Sequence, residues 1–179
     1  MRVTTTLLGA EETVEVSEEQ IFAFEPGIGG FESLRRFALV REDDTPVEWL
    51  VSLDDPGISF AVLEPFLFET GYAFELADRE VEALGMHEAG DAVVRCLLTL
   101  NEDPEQITAK LLAPLVFSRR THMARQVILS ESTYSMRDGL RDRRRLGRRH
   151  RRATPGIRLA ETCRRLWPIQ SVDALSGCR

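Results

Sequence analysis

Through its first three-quarters the chain alternates apolar and polar positions with a period of two, the pattern of strands with distinct faces. Residues 13–16, 21–24 and 37–40 are short runs of this kind. Between the first two, Ser17 and Gln20 stand at the spacing of a capping box, so a capped turn is expected there. Val47, Trp49, Val51 and Leu53 alternate with Glu48, Leu50 and Ser52. After the turn Asp54-Asp55-Pro56-Gly57, Ile58, Phe60 and Val62 alternate with Ser59, Ala61 and Leu63, which predicts a hairpin. Further strands are expected at 66–68, 72–76 and 91–100, the last being the longest. Residues 111–117 and 126–129 read as a closing pair across the polar loop 118–125, with Pro114 marking an edge or a bulge.

Only two short helices interrupt this pattern. One is expected over 79–84, capped by Asp78 and stopped by Gly85. The other follows Asp103, with Pro104 at its first position, where a missing N–H costs nothing. Neither is long enough to cross over a parallel sheet. The expected fold is therefore all-β: a small antiparallel β-barrel-like domain over residues 1–136. After Tyr134 the alternation stops, and 137–179 is an Arg-rich C-terminal extension whose composition predicts disorder.

Charge divides the chain at the same place. Residues 1–136 hold 10 basic and 25 acidic side chains, whereas 137–179 hold 13 basic and 4 acidic ones. The body would repel a phosphate backbone and the extension would attract one. An RNA-binding small β-barrel using the basic tail is thus an alternative reading, weakened by the body's charge and by the lack of a base-stacking aromatic motif. The N-terminus is too short in apolar length and too acidic for a secretory signal, and no apolar run approaches a membrane span. Cys96, Cys163 and Cys178 form no metal-ligand or redox spacing and no disulfide framework, which fits a reducing cytoplasm. Cys96, inside an apolar run, is expected to be a small core residue.

No catalytic constellation emerges. His87, His122 and His150 lack a carboxylate or serine at a catalytic spacing. Asp43-Asp44 and Asp54-Asp55 lie near prolines in turns and lack the ligand spacing of a calcium loop. Pro26-Gly27-Ile28-Gly29-Gly30-Phe31 has no lysine followed by serine or threonine, so it reads as a tight loop with positive φ, not as a phosphate cradle. No catalytic residue, cofactor or metal is expected. What remains is an acidic β domain with Phe31, Phe66 and Phe68 beside Gly or Pro, where aromatic rings cap the core or meet a partner.

Several blocks, in order, resemble the flagellar assembly factor FliW family. They are residues 21–32 (Ile-Phe-Ala-Phe-Glu-Pro-Gly-Ile-Gly-Gly-Phe-Glu), 49–56 (Trp-Leu-Val-Ser-Leu-Asp-Asp-Pro), 59–62, 64–66, 108–116, 126–129 and Tyr134-Ser135. Together they span about residues 1–137. Lys110 departs from the asparagine usual in the family, and the Arg-rich extension has no counterpart in it. The resemblance implies a compact antiparallel barrel-like fold and two partners: flagellin, and the translational regulator CsrA, whose block on flagellin message is relieved when the family member binds it. Direct nucleic-acid or membrane binding by the body is not implied, and a cytoplasmic monomer is expected. The expected partner contacts are the loop residues of the matched blocks: Gly27, Ile28 and Phe31; Asp54, Asp55 and Pro56; Glu64, Pro65 and Phe66.

Overall fold

The computed structural model describes residues 1–7, 10–41, 45–69, 71–130, 132–140 and the strand 156–159. The chain order is β1 (Arg2–Leu7), β2 (Ala10–Glu15), β3 (Ile21–Phe24), β4 (Arg36–Arg41), β5 (Val47–Ser52), β6 (Ser59–Leu63), β7 (Ala73–Leu76), α1 (Asp78–Leu84), β8 (Ala92–Thr99), β9 (Thr108–Ala109), β10 (Leu115–Ser118), β11 (Met123–Gln126), β12 (Asp138–Gly139) and β13 (Gly156–Leu159). Seven strands close on themselves in the order β10-β11-β3-β4-β5-β6-β8, with β8 pairing back to β10. Neighbours are antiparallel except β11 and β3, which run parallel.

A barrel this small is filled by its own side chains. Phe22, Phe24, Ile28, Phe37, Leu50, Val62, Leu97, Leu115 and Phe117 make up the central cluster. Phe117 meets Phe22 and Phe24 edge-on at ring separations of 5.0 and 5.6 Å. The outer wall is covered as well. The β1–β2 hairpin lays Leu7 in a second cluster with Val16, Ala38, Val40, Trp49, Val51 and Ala61. On the far side, β7, α1, Phe66, Phe68 and Tyr72 cover Val94, Cys96 and Val116. Val47, Trp49 and Val51 therefore face the hairpin, and both faces of β5 are buried.

Several local expectations shift. Residues 66–68 are not a strand: Pro65–Leu67 is a 3-10 turn started by the proline. The strand that closes the barrel opposite β10 is Met123–Gln126, not 126–129, because the intervening loop is shorter than the polar run suggests. The helix is Asp78–Leu84 with Ala77 as its N-cap and Gly85 in the left-handed region at its end. The second expected helix is a single 3-10 turn whose Asp103 side chain accepts from the Glu105 N–H. The turn 17–20 forms as expected, with Gln20 Oε1 accepting the Ser17 N–H at 2.8 Å. Within the extension, 138–139 pairs with β9 and 156–159 pairs with β7; 141–155 and 160–179, with Cys163, Cys178 and His150, lie outside the described residues, as does Asp43-Asp44.

Candidate partner-binding surface

The loop after β3 is built by close backbone approach. A Cβ on Gly27 would lie 2.8 Å from the Leu34 carbonyl oxygen and 2.9 Å from Glu32 backbone atoms, so glycine is needed for space. Gly30 is the one glycine of the stretch with positive φ, at 88°. Ile28 is buried in the barrel, and the Phe31 N–H donates back to its carbonyl at 2.7 Å. This aims the half-buried Phe31 ring edge-on at Phe60, 5.0 Å away.

The Asp54-Asp55-Pro56-Gly57 turn is held by its own carboxylates. Asp54 Oδ2 accepts the N–H groups of Arg35 and Arg36 at 2.7 and 2.9 Å, and its Oδ1 takes the Arg36 guanidinium at 3.1 Å. Burial raises its pKa, but these backbone and arginine donors outweigh that and hold the carboxyl below its ordinary range. Asp55 Oδ1 accepts the Gly57 N–H at 2.9 Å, and the Pro56 carbonyl takes the Thr6 N–H at 3.0 Å. All three residues are exposed, yet their polar groups shape the turn first.

Beside this turn the barrel wall parts. Among the described residues β8 pairs with β6 at Val62 and Leu63 only, so the two strands separate toward Ser59. The opening is a groove of about 380 Å3 lined by Phe31, Trp49, Ile58, Phe60, Leu98 and Leu100. Leu100 is 39% exposed. The exposed Asp54 and Asp55 precede Gly57 and Ile58 in the chain, and the exposed Glu102 and Asp103 follow Leu100.

Glu64, Pro65 and Phe66 lie at the other end of β6, roughly 13–17 Å away by strand rise. Pro65 is buried, and Phe66 packs on the Tyr72 ring at 5.8 Å. Glu64 reaches Arg95 Nη1 at 3.7 Å. Beneath it, buried Arg95 pairs with buried Glu48, whose Oε1 also takes Arg41 Nη2 at 2.8 Å. Burial raises the Glu48 pKa, and the hydrogen bonds and charges of Arg95 and then Arg41 bring it below the ordinary value. The structure thus brings Gly27, Phe31, Asp54, Asp55 and Pro56 to one end, sinks Ile28 into the core, and separates Glu64, Pro65 and Phe66.

Sequence reasoning missed Ile58, Phe60, Leu98 and Leu100 as surface-forming residues. The available signal was Leu100, an apolar residue prolonging the longest strand past Thr99. It also missed a wider groove of about 1040 Å3 between β7 and residues 126–134, where Ile128 is 71% exposed. Cys96 is a core residue whose thiol is pushed up to about 12 by burial, which removes it as a nucleophile. His122 adopts φ 57° and stacks on Phe22, with Nδ1 3.1 Å from the Ile21 carbonyl oxygen, a structural role. Among the described residues no three His, Cys, Asp or Glu side chains gather as a metal site, and no helix is long and apolar enough to cross a membrane.

The chain is thus a closed, filled β-barrel with an apolar split at its rim. The family model described as FliW protein matches residues 3–140, and the chain belongs to that family. The flagellar assembly factor FliW of Caldicellulosiruptor saccharolyticus is 37% identical over 124 residues, covering 69% of this chain and 82% of that protein. That of Bacillus subtilis is 37% identical over 123 residues, covering 68% and 86%. A crystal structure of the flagellar assembly factor FliW superimposes with a TM-score of 0.71 at 30% identity, covering 78% of this chain and 96% of that one. The family is one of flagellar assembly factors.

Proposed function

We propose that the chain serves flagellar assembly in the cytoplasm by holding two partner proteins in turn, CsrA and flagellin, without catalysing a reaction. The observation that carries this reading is the split beside β6. Its lining is largely apolar, acidic residues neighbour it in the chain (Asp54 and Asp55 before Gly57, Glu102 and Asp103 after Leu100), and Phe31 is placed at it by a loop that needs Gly27 for space. Such a surface suits a segment with an apolar face and basic neighbours. A regulator that binds RNA carries basic surface, and the acidic body attracts it while not competing for RNA itself.

The regulatory consequence needs only mutual exclusion. If flagellin and CsrA cannot be held together, each depletes the pool available to the other by mass action, and flagellin concentration sets how much CsrA is unbound. The test is co-purification of CsrA with the full chain, followed by addition of flagellin. Retention of CsrA and its release by flagellin are expected. Failure of either partner to bind at micromolar concentration removes the reading.

A further inference from the structure

β7 stands apart from the barrel sheet, and among the described residues its one ladder partner is β13, from the arginine-rich extension. β7 is firmly seated. Phe74 and Leu76 are buried in the α1-side cluster, and the Tyr134 hydroxyl accepts the Ala73 N–H at 3.0 Å. A short anchored strand with an open edge is a template for another extended segment. The parallel register sets Ile157 opposite Phe74, Arg158 opposite Glu75 and Leu159 opposite Leu76. In that register the apolar–cation–apolar sequence Ile157-Arg158-Leu159 runs alongside the apolar–anion–apolar sequence Phe74-Glu75-Leu76. The same strand lines the wide groove shared with Val127, Ile128 and Leu129.

We propose that β7 is a strand-accepting edge and that Gly156–Leu159 is its tethered occupant, competing in cis with any extended peptide of apolar–cation–apolar sequence that would add there. Fifteen residues join Leu140 to Gly156. Tethering makes the pairing unimolecular, and short linkers give effective concentrations on the order of millimolar. A rival segment must overcome that local concentration, so the extension raises the threshold at which a partner gains this edge. The charge contrast between body and extension acts in the same direction.

The test uses the full chain and Ile157→Pro, which removes an N–H from β13 and leaves residues 1–140 unaltered. Hydrogen exchange at residues 73–76 should quicken at least tenfold in the variant, with β8 and β10 unchanged. A labelled peptide spanning residues 154–161 should then bind the variant at least tenfold more tightly than the wild type, whose edge is filled. The same peptide carrying Arg158→Glu should bind the variant more weakly. Unaltered exchange in β7 overturns the proposal. So does peptide binding that is absent from both proteins or equal in both.

Discussion

At one end of β6 stands Asp54-Asp55-Pro56, at the other Glu64-Pro65, and as sequence the two are alike: acid and proline in a turn. At the first end the carboxylates are spent on local backbone donors, and beside them the wall opens into an apolar groove. At the second the half-buried Glu64 sits over a buried pair, Glu48 and Arg95, whose side chains are 6% and 8% exposed. One end is a rigid rim around an unfilled surface; the other closes the barrel with charge. Which use a carboxylate serves is decided by the donors that reach it, not by its neighbours in the chain.

The sharpest break comes at the closed end. Arg95→Ala leaves Glu48 buried with Arg41 as its remaining partner and should cost about 3 kcal/mol in denaturant unfolding. Replacing both residues, Glu48→Leu with Arg95→Met, should recover to within roughly 1 kcal/mol of the wild type, since an apolar pair avoids the desolvation cost. A double variant as unstable as Arg95→Ala would show that the pair stabilises beyond what apolar packing gives. At the open end, Gly27→Ala drives a Cβ into backbone oxygens that cannot rotate away, and about 2 kcal/mol of destabilisation is expected by thermal unfolding.

Asp54→Ala should cost roughly 1–2 kcal/mol, because two backbone N–H groups lose their acceptor. The two ends share a pH signature. Glu48 and Asp54 are both held below their ordinary pKa values. A depressed carboxylate contributes stability above its unfolded value, about pH 4, and loses it as pH falls through the lower folded value. Stability should thus be flat from pH 7 to about 5 and fall below about 4. The Glu48→Leu, Arg95→Met variant should show a shallower fall in acid titrations followed by circular dichroism.

Much of the barrel was legible because its strands alternate and its turns carry Asp, Pro and Gly. The β5–β6 hairpin is where Asp54-Asp55-Pro56-Gly57 put it. Val47, Trp49, Val51 and Leu53 mark one face of β5, and the structure buries Glu48, Leu50 and Ser52 on the other as well. The second face is the barrel interior, and the Trp49 face is covered by the β1–β2 hairpin, whose Thr-rich first strand has too little alternation to be read. Residues 66–68 look like a strand by composition, but Pro65 sets the φ of a 3-10 turn. Of the nine expected contact residues, Ile28 is a core residue, because periodicity does not show that a loop folds back into the lumen. The split itself was illegible: it depends on where β8 stops pairing with β6, a matter of register between strands more than thirty residues apart.

The smallest effects on stability give the finest discrimination between the two ends. Glu64 is 40% exposed and 3.7 Å from Arg95, so Glu64→Gln should change stability by less than about 0.5 kcal/mol. Leu100→Ser, at an already exposed position, should change it by about as little. Their effects on partner binding should differ. If the split holds CsrA, Leu100→Ser removes apolar contact at its edge and should weaken CsrA about tenfold by calorimetry, while Glu64→Gln should weaken it less than about threefold. The reverse order would place the partner over the closed end of the barrel, where Glu64, Pro65, Phe66 and the exposed Leu67 would form the contact. Because neither variant perturbs the fold, a difference between them reads the location of the interface and nothing else.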